Sequence, residues 1–212
     1  GVTGVQTCAL PISLGNAKAL VIDTTAPVVT SITRANSQLT NASPVFTVTF
    51  SESVSGVVAA NFTASKGSGT SGTGSVSVSG SGSTWTVTVS GLTGDYGTNT
   101  NATVGLTVVP GTSISDTAGN LLTSAAVSGS NQSYNLDTAS ATVSGVTSTL
   151  ADGSYKEGQA VPVTVTFSEP VTVATSGGTP QLTLATGSSA TTPVSYTSGR
   201  DRKSTRLNSS HA

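Results

Sequence analysis

Charged residues are scarce, making up only 8% of this 212-residue chain against roughly a quarter of an average soluble protein. Long amphipathic helices draw their polar faces from Glu, Lys and Arg, so this shortage argues against a helical fold. The net charge is −1 and there is no basic stripe, which excludes a nucleic-acid-binding surface. No window holds the roughly 18 apolar residues of a helical membrane span. There is no methionine, hence no starting Met, and no basic stretch precedes the short apolar run CALPI, so the N-terminus does not read as a targeting signal. Cysteine and histidine occur once each, as Cys8 and His211. Gly, Ser, Thr and Val take the places left vacant. Hydrophobic residues make up 35%, and the 24 glycines bring the apolar share to about 46%, an ordinary globular value. That is enough for a core and too apolar for a disordered tail, in a chain long enough for one large domain or two of sandwich size.

The two ends differ from the middle. Four of the eight basic residues, Arg200, Arg202, Lys203 and Arg206, fall in the last thirteen positions. Between Leu14 and Gly199 there are four bases against eight acids, a net charge of −4. The strings GVQTCALPIS and RDRKSTRLNSSHA resemble sequencing-adapter DNA translated at the ends of short assembled reads. Residues 1–13 and 200–212 are therefore expected to be non-native and are set aside from fold reasoning.

Within the middle, apolar and hydroxyl residues alternate. In PVFTVTFSE, Phe46, Val48 and Phe50 alternate with Thr47 and Thr49, and in VPVTVTFSEP, Val163, Val165 and Phe167 alternate with Thr164 and Thr166. Period two with one apolar face is the mark of a half-buried antiparallel strand. Trp85, Val87 and Val89 continue the pattern, as do Val104, Leu106 and Val108, and Val76 and Val78. The stretches between, such as KGSGTSGTG, GLTGDYG and DTAGN, are turn chemistry. Strands are expected near 28–33, 45–51, 57–64, 74–79, 84–90, 103–109 and 126–135, the seven of an immunoglobulin-like sandwich. No cysteine pair pins the sheets, so buried Trp85 and the Phe/Val faces must supply cohesion, about 1.5–3 kcal/mol per large side chain.

VTFSE occurs twice, preceded once by VIDTTAP and once by NLDTASA. Asp23 and Asp137 lie 114 residues apart, Glu52 and Glu169 117. Two motifs recurring at nearly one offset predict a repeated unit of sandwich size. The expected division is 14–22 as the end of a preceding repeat, 23–136 as a complete sandwich and 137–199 as a truncated second repeat. The truncated repeat should leave an apolar face or a strand edge unpaired.

DTTAPVVTSI, FTVTFSESVSGV, SDTAGN and YKEGQAVPVTVTFSEPV resemble tandem bacterial Ig-like repeats of very large secreted or cell-surface proteins, adhesin-like ones among them. The resemblance covers nearly all of residues 14–199. It implies an all-β fold of antiparallel sandwiches, an extracellular or cell-surface setting, and a role as stalk or spacer beside neighbouring repeats of the same chain.

Little in this middle segment can do chemistry. Without His or Cys it lacks the commonest general base, the thiol nucleophile and the softer metal ligands. Its serines have no base placed by any motif, its glycine stretches lead into strands rather than helix N-termini, and its eight acids are poorly arranged for a two-carboxylate hydrolase. No enzyme is expected. Trp85 on an apolar face reads as core rather than as a sugar platform. The Asn-x-Ser/Thr triplets at Asn41, Asn61, Asn101 and Asn131 matter only in a glycosylating host.

The acids do have a pattern. In a sandwich, the start of the first strand, the end of the second and the loop before the last share one pole. That gathers Asp23, Glu52, Asp116 and Asn120 at the head of the first unit, and Asp137 and Glu169 at the head of the second, facing the junction. Such clusters suit a hard cation such as Ca²⁺, which takes six to eight oxygens. Asp and Asn also make good turns and Asx caps, and in the absence of a dense Asp-x-Asp-x-Asp loop the turn reading is the stronger. Two roles remain: a spacer with no chemistry of its own, or an adhesive module that binds a glycan or a host protein through a face or pole. A contiguous exposed apolar or aromatic patch would mark the second.

Overall fold

The computed structural model describes residues 22–110, 113–156, 159–186, 189–198 and 204–209. The expectations for 1–13, for 14–21 and for most of 200–212 lie outside them. The described chain is all-β, and its sheets are antiparallel apart from one short pair.

Eight strands build the first region: β1 (Val29–Arg34), β2 (Leu39–Thr40), β3 (Val45–Phe50), β4 (Phe62–Lys66), β5 (Thr70–Ser81), β6 (Thr84–Gly94), β7 (Thr103–Val108) and β8 (Tyr134–Leu136). One sheet has the order β1-β3-β6-β5, the other β2-β8-β7-β4, with β2 and β8 the parallel pair. Alternation is what makes two layers: Phe46, Val48 and Phe50 of β3 and Val87 and Val89 of β6 are buried, as are Val104, Leu106 and Val108 of β7. Tyr134 and Leu136 of β8 join them in one hydrophobic cluster drawn from both sheets. The core therefore lies between the layers, in a sandwich-like arrangement. Trp85 packs against this cluster half-buried, with its indole N–H donated to the Gly82 carbonyl at 3.0 Å.

Two expected strands are shorter than the alternation suggests. Of 57–64, only the part from Phe62 onward is strand. Asn61 captures the preceding segment: its Oδ1 accepts the Val58 N–H at 2.7 Å, and its own N–H reaches the Val58 carbonyl at 3.0 Å, closing a single 3-10 turn over Ala59–Asn61. A short amide side chain here outcompetes the sheet ladder for a backbone donor. Of 126–135, only Tyr134 onward is strand. Upstream the chain follows β1 through isolated parallel bridges, Val29 to Val127 and Ile32 to Asn131, with Ser-Gly-Ser at 128–130 breaking the alternation.

The second region has β9 (Val143–Ser148), β10 (Val161–Phe167), β11 (Gln181–Thr186), β12 (Ser189–Ser198) and β13 (Ser204–Ser209), in the order β11-β12-β13-β10-β9. Ser204–Ser209, within the tail set aside above, pairs antiparallel with β10. Among the described residues its buried cluster is Val163, Val165 and Val194, with Phe167, Leu182, Leu184 and Tyr196 packed around it. Val143 and Val146 on β9 remain 57% and 50% exposed. An apolar groove of about 370 Å³ lies alongside, lined by Val143, Val165, Phe167, Val171, Leu182 and Tyr196 among others.

Candidate functional site

Strand directions place the acids at two ends of the first region. β3 ends at Phe50, and Thr84 at the start of β6 pairs with Thr49, so β6 begins at the pole where β3 ends. Its own end, Gly94, lies at the opposite pole.

At the first pole, Glu52 follows β3, Asp23 precedes β1, and Asp116 sits in a loop anchored by buried Ile114 and Leu122, which are joined through Leu122 N–H and Ile114 C=O at 2.9 Å. The three carboxylates offer oxygens within 4.8 Å of one another. Asp116 is 4% exposed and well supplied with donors. Its Oδ1 accepts the Ala118 and Asn120 backbone N–H groups, each at 2.8 Å, and its Oδ2 accepts the Asn120 side-chain amide at 2.8 Å. That amide also reaches the Asp23 carbonyl at 3.1 Å, so Asn120 works here as a donor that ties the loop to the chain entrance. Burial acts to raise the Asp116 pKa, but the Asn120, Gly119 and Ala118 hydrogen bonds outweigh it and hold the carboxyl below its ordinary value. Glu52 is raised, first by desolvation and then by the charges of Asp116 and Asp23.

At the opposite pole Asp137 and Glu169 do meet, together with Asp95, which the sequence reading omits. Again the carboxylate oxygens lie within 4.8 Å. Asp95 follows β6 and forms an isolated bridge to Asp137 after β8. The turn is fixed by Thr138 N–H to Gly94 C=O at 2.8 Å and Tyr96 N–H to Leu136 C=O at 3.2 Å, while Asp95 Oδ1 accepts the Thr98 N–H at 2.9 Å. Glu169 arrives from the end of β10 and lies so close to the β6–β7 loop that a Cβ on Gly97 would sit 2.5 Å from its Oε2. Glu169 is 7% exposed. Desolvation raises its pKa most, followed by the charges of Asp137 and Asp95 and a side-chain hydrogen bond with Asp137. Among the described residues no group hydrogen-bonds to the buried Asp137 Oδ1. Asp95 was legible in principle: the pole argument, extended from β3 to its antiparallel neighbour β6, puts the acid of GLTGDYG at the junction.

The serines before the two glutamates make the same pair of bonds. Ser51 N–H donates to the Val28 carbonyl at 2.9 Å while its Oγ accepts the Val28 N–H at 3.0 Å. Ser168 N–H donates to the Thr142 carbonyl at 2.8 Å while its Oγ accepts the Thr142 N–H at 3.0 Å. The chain matches no family model, no curated protein and no solved structure.

Proposed function

We propose that the chain is a structural spacer: tandem immunoglobulin-like sandwiches within a bacterial extracellular or cell-surface protein, with no chemistry of its own. The observation that carries this reading is the recurrence of one strand-end device. The Ser51–Val28 and Ser168–Thr142 pairs lie 117 and 114 residues apart, the offsets of the glutamates and of the leading aspartates, so the second region starts as the first did. Only residues 137–142 separate β8 from β9, a link short enough to make the units neighbours. The first unit spends its strand faces on its own core, and its exposed apolar residues, such as Val28, Leu39, Val58 and Val109, come from separate turns and strand ends. No described helix is long and apolar enough to cross a membrane.

Small-angle scattering on chains carrying one, two and three copies of residues 23–136 tests the spacer. A maximum dimension that grows by a constant increment per copy supports it. A dimension that stays constant, because the copies collapse on one another, refutes it. The second reading, an adhesive module, is favoured only by the apolar groove beside β9. Saturable binding of a glycan or protein to this chain, abolished by Phe167→Ser, would favour that reading over the spacer.

A further inference from the structure

The two regions repeat one strand pairing residue for residue and differ in what covers it. Val29, Ile32 and Arg34 of β1 face Phe50, Val48 and Phe46 of β3. Val143, Val146 and Ser148 of β9 face Phe167, Val165 and Val163 of β10. Both ladders skip one residue after the first pair, Thr30 in one and Ser144 in the other. Val29 and Ile32 are nevertheless fully buried, whereas their counterparts Val143 and Val146 are half exposed, and Val143 lines the apolar groove. In the first region the cover is the segment that ends in β8. It runs parallel to β1, with Ile32 N–H donated to the Ser130 carbonyl at 2.7 Å and Gln132 N–H to the Ile32 carbonyl at 2.9 Å. It then buries Tyr134 and Leu136. Gly129 passes so close to β1 that a Cβ there would lie 2.7 Å from the Thr30 carbonyl oxygen. Among the described residues no segment bridges the matching edge of β9, which ends its sheet.

The offset of 114 that carries Asp137 onto Asp23 also carries residues 128–136 onto 14–22. Gly129 falls on Gly15, Tyr134 on Leu20 and Leu136 on Ile22. A glycine therefore stands where the backbones nearly touch, and apolar residues stand where the first region buries them. Ile22, the described end of this stretch, is 84% exposed where Leu136 is buried. We propose that residues 14–22 of one molecule occupy the groove beside β9 of a second copy, pairing parallel to β9 and covering its apolar face by strand addition. In this pairing Val146 N–H donates to the Asn16 carbonyl and Lys18 N–H to the Val146 carbonyl, with Leu20 and Ile22 directed into the groove. The donor comes from another molecule. Asp23 is tied to the first pole through Asn120, whereas the second region joins at the opposite pole, where Glu169 meets Asp95 and Asp137. Donor and acceptor are different surfaces, so the contact is heterologous and each association leaves a further donor and acceptor open. The inference rests on the repeat equivalence and not on the spacer role, whose scattering test uses residues 23–136 and contains neither surface.

The test is sedimentation velocity of the full 212-residue chain over a range of concentrations. The native chain is expected to associate progressively and to pass beyond a dimer. Leu20→Asp should weaken association about a hundredfold or more, because it carries a carboxylate into an apolar groove. Val146→Asp should do the same from the acceptor side, and Gly15→Val should act like Leu20→Asp by blocking the close backbone approach. Mixed in equal amounts, the Leu20→Asp and Val146→Asp chains should form a heterodimer that grows no further, since each supplies what the other lacks. A synthetic peptide of residues 14–22 reads the same groove with no substitution in the second region. It should disperse the native oligomers, and the same peptide carrying Gly15→Val should not. The proposal is overturned if the native chain is monomeric throughout, if its association survives in Leu20→Asp, or if the mixture forms no heterodimer and the peptide disperses nothing.

Discussion

Phe46 and Tyr134 meet edge-on, ring centroids 5.1 Å apart at 80°, one from each sheet and both essentially inaccessible to solvent. The Tyr134 hydroxyl donates to the Val45 carbonyl at 2.6 Å and accepts the Asn36 N–H at 3.1 Å. Phe46→Ala should cost about 3–5 kcal/mol through lost burial and a cavity, whereas Tyr134→Phe should cost about 1–2 kcal/mol by leaving buried polar partners unpaired. Urea unfolding followed through Trp85, the only tryptophan, reads both from within the first region. The carboxylates give a second residue-scale expectation. The lowered pKa of Asp116 means that its stabilising contribution is full above the ordinary 3.8 and is lost as pH falls through the lowered value. Glu52 and Glu169, raised above 4.5, contribute most below that value and lose their contribution as pH climbs through the raised ones. The chain should therefore melt highest on the acid side of neutrality. Differential scanning calorimetry across pH should show that maximum, and Glu169→Gln should flatten the decline toward neutral pH.

Strands were legible wherever large apolar residues alternate with threonine, as at β3, β6, β7 and β10, because period two alone separates a buried face from a wet one. Legibility failed where a side chain overrides the ladder, as Asn61 does, and where pairing is too brief to leave a pattern, as in the two residues of β2. The poles were readable because strand direction follows from antiparallel order; Asp95 required knowing that β6 lies beside β3. The turn before Asn61 depends on Gly56, which has φ +72° and whose missing Cβ would fall 1.8 Å from the Ser113 carbonyl oxygen. Gly56→Ala should cost roughly 2 kcal/mol or more, from the left-handed backbone and the clash together. The same denaturation measurement decides it: an unchanged midpoint would mean that this turn does not hold Val54 and Val57 in the core.

At the scale of the whole molecule the two regions are unequal. Among the described residues the first closes on eighteen buried residues in one cluster and the second on three, and β9 keeps Val143 and Val146 half exposed. An uncovered apolar face of this kind should bind a hydrophobic dye such as ANS. Deleting residues 139–212 should abolish most of that fluorescence, and a signal retained in full would place the exposed surface in the first region instead. The claim that alternating residues close a self-sufficient sandwich is tested most directly by preparing residues 22–138 alone and unfolding them in urea, with Trp85 fluorescence and far-ultraviolet circular dichroism recorded together. One cooperative transition, coincident in both signals, is the predicted result. A gradual, non-cooperative loss of signal, or a transition that returns only when residues 139–212 are restored, would contradict it.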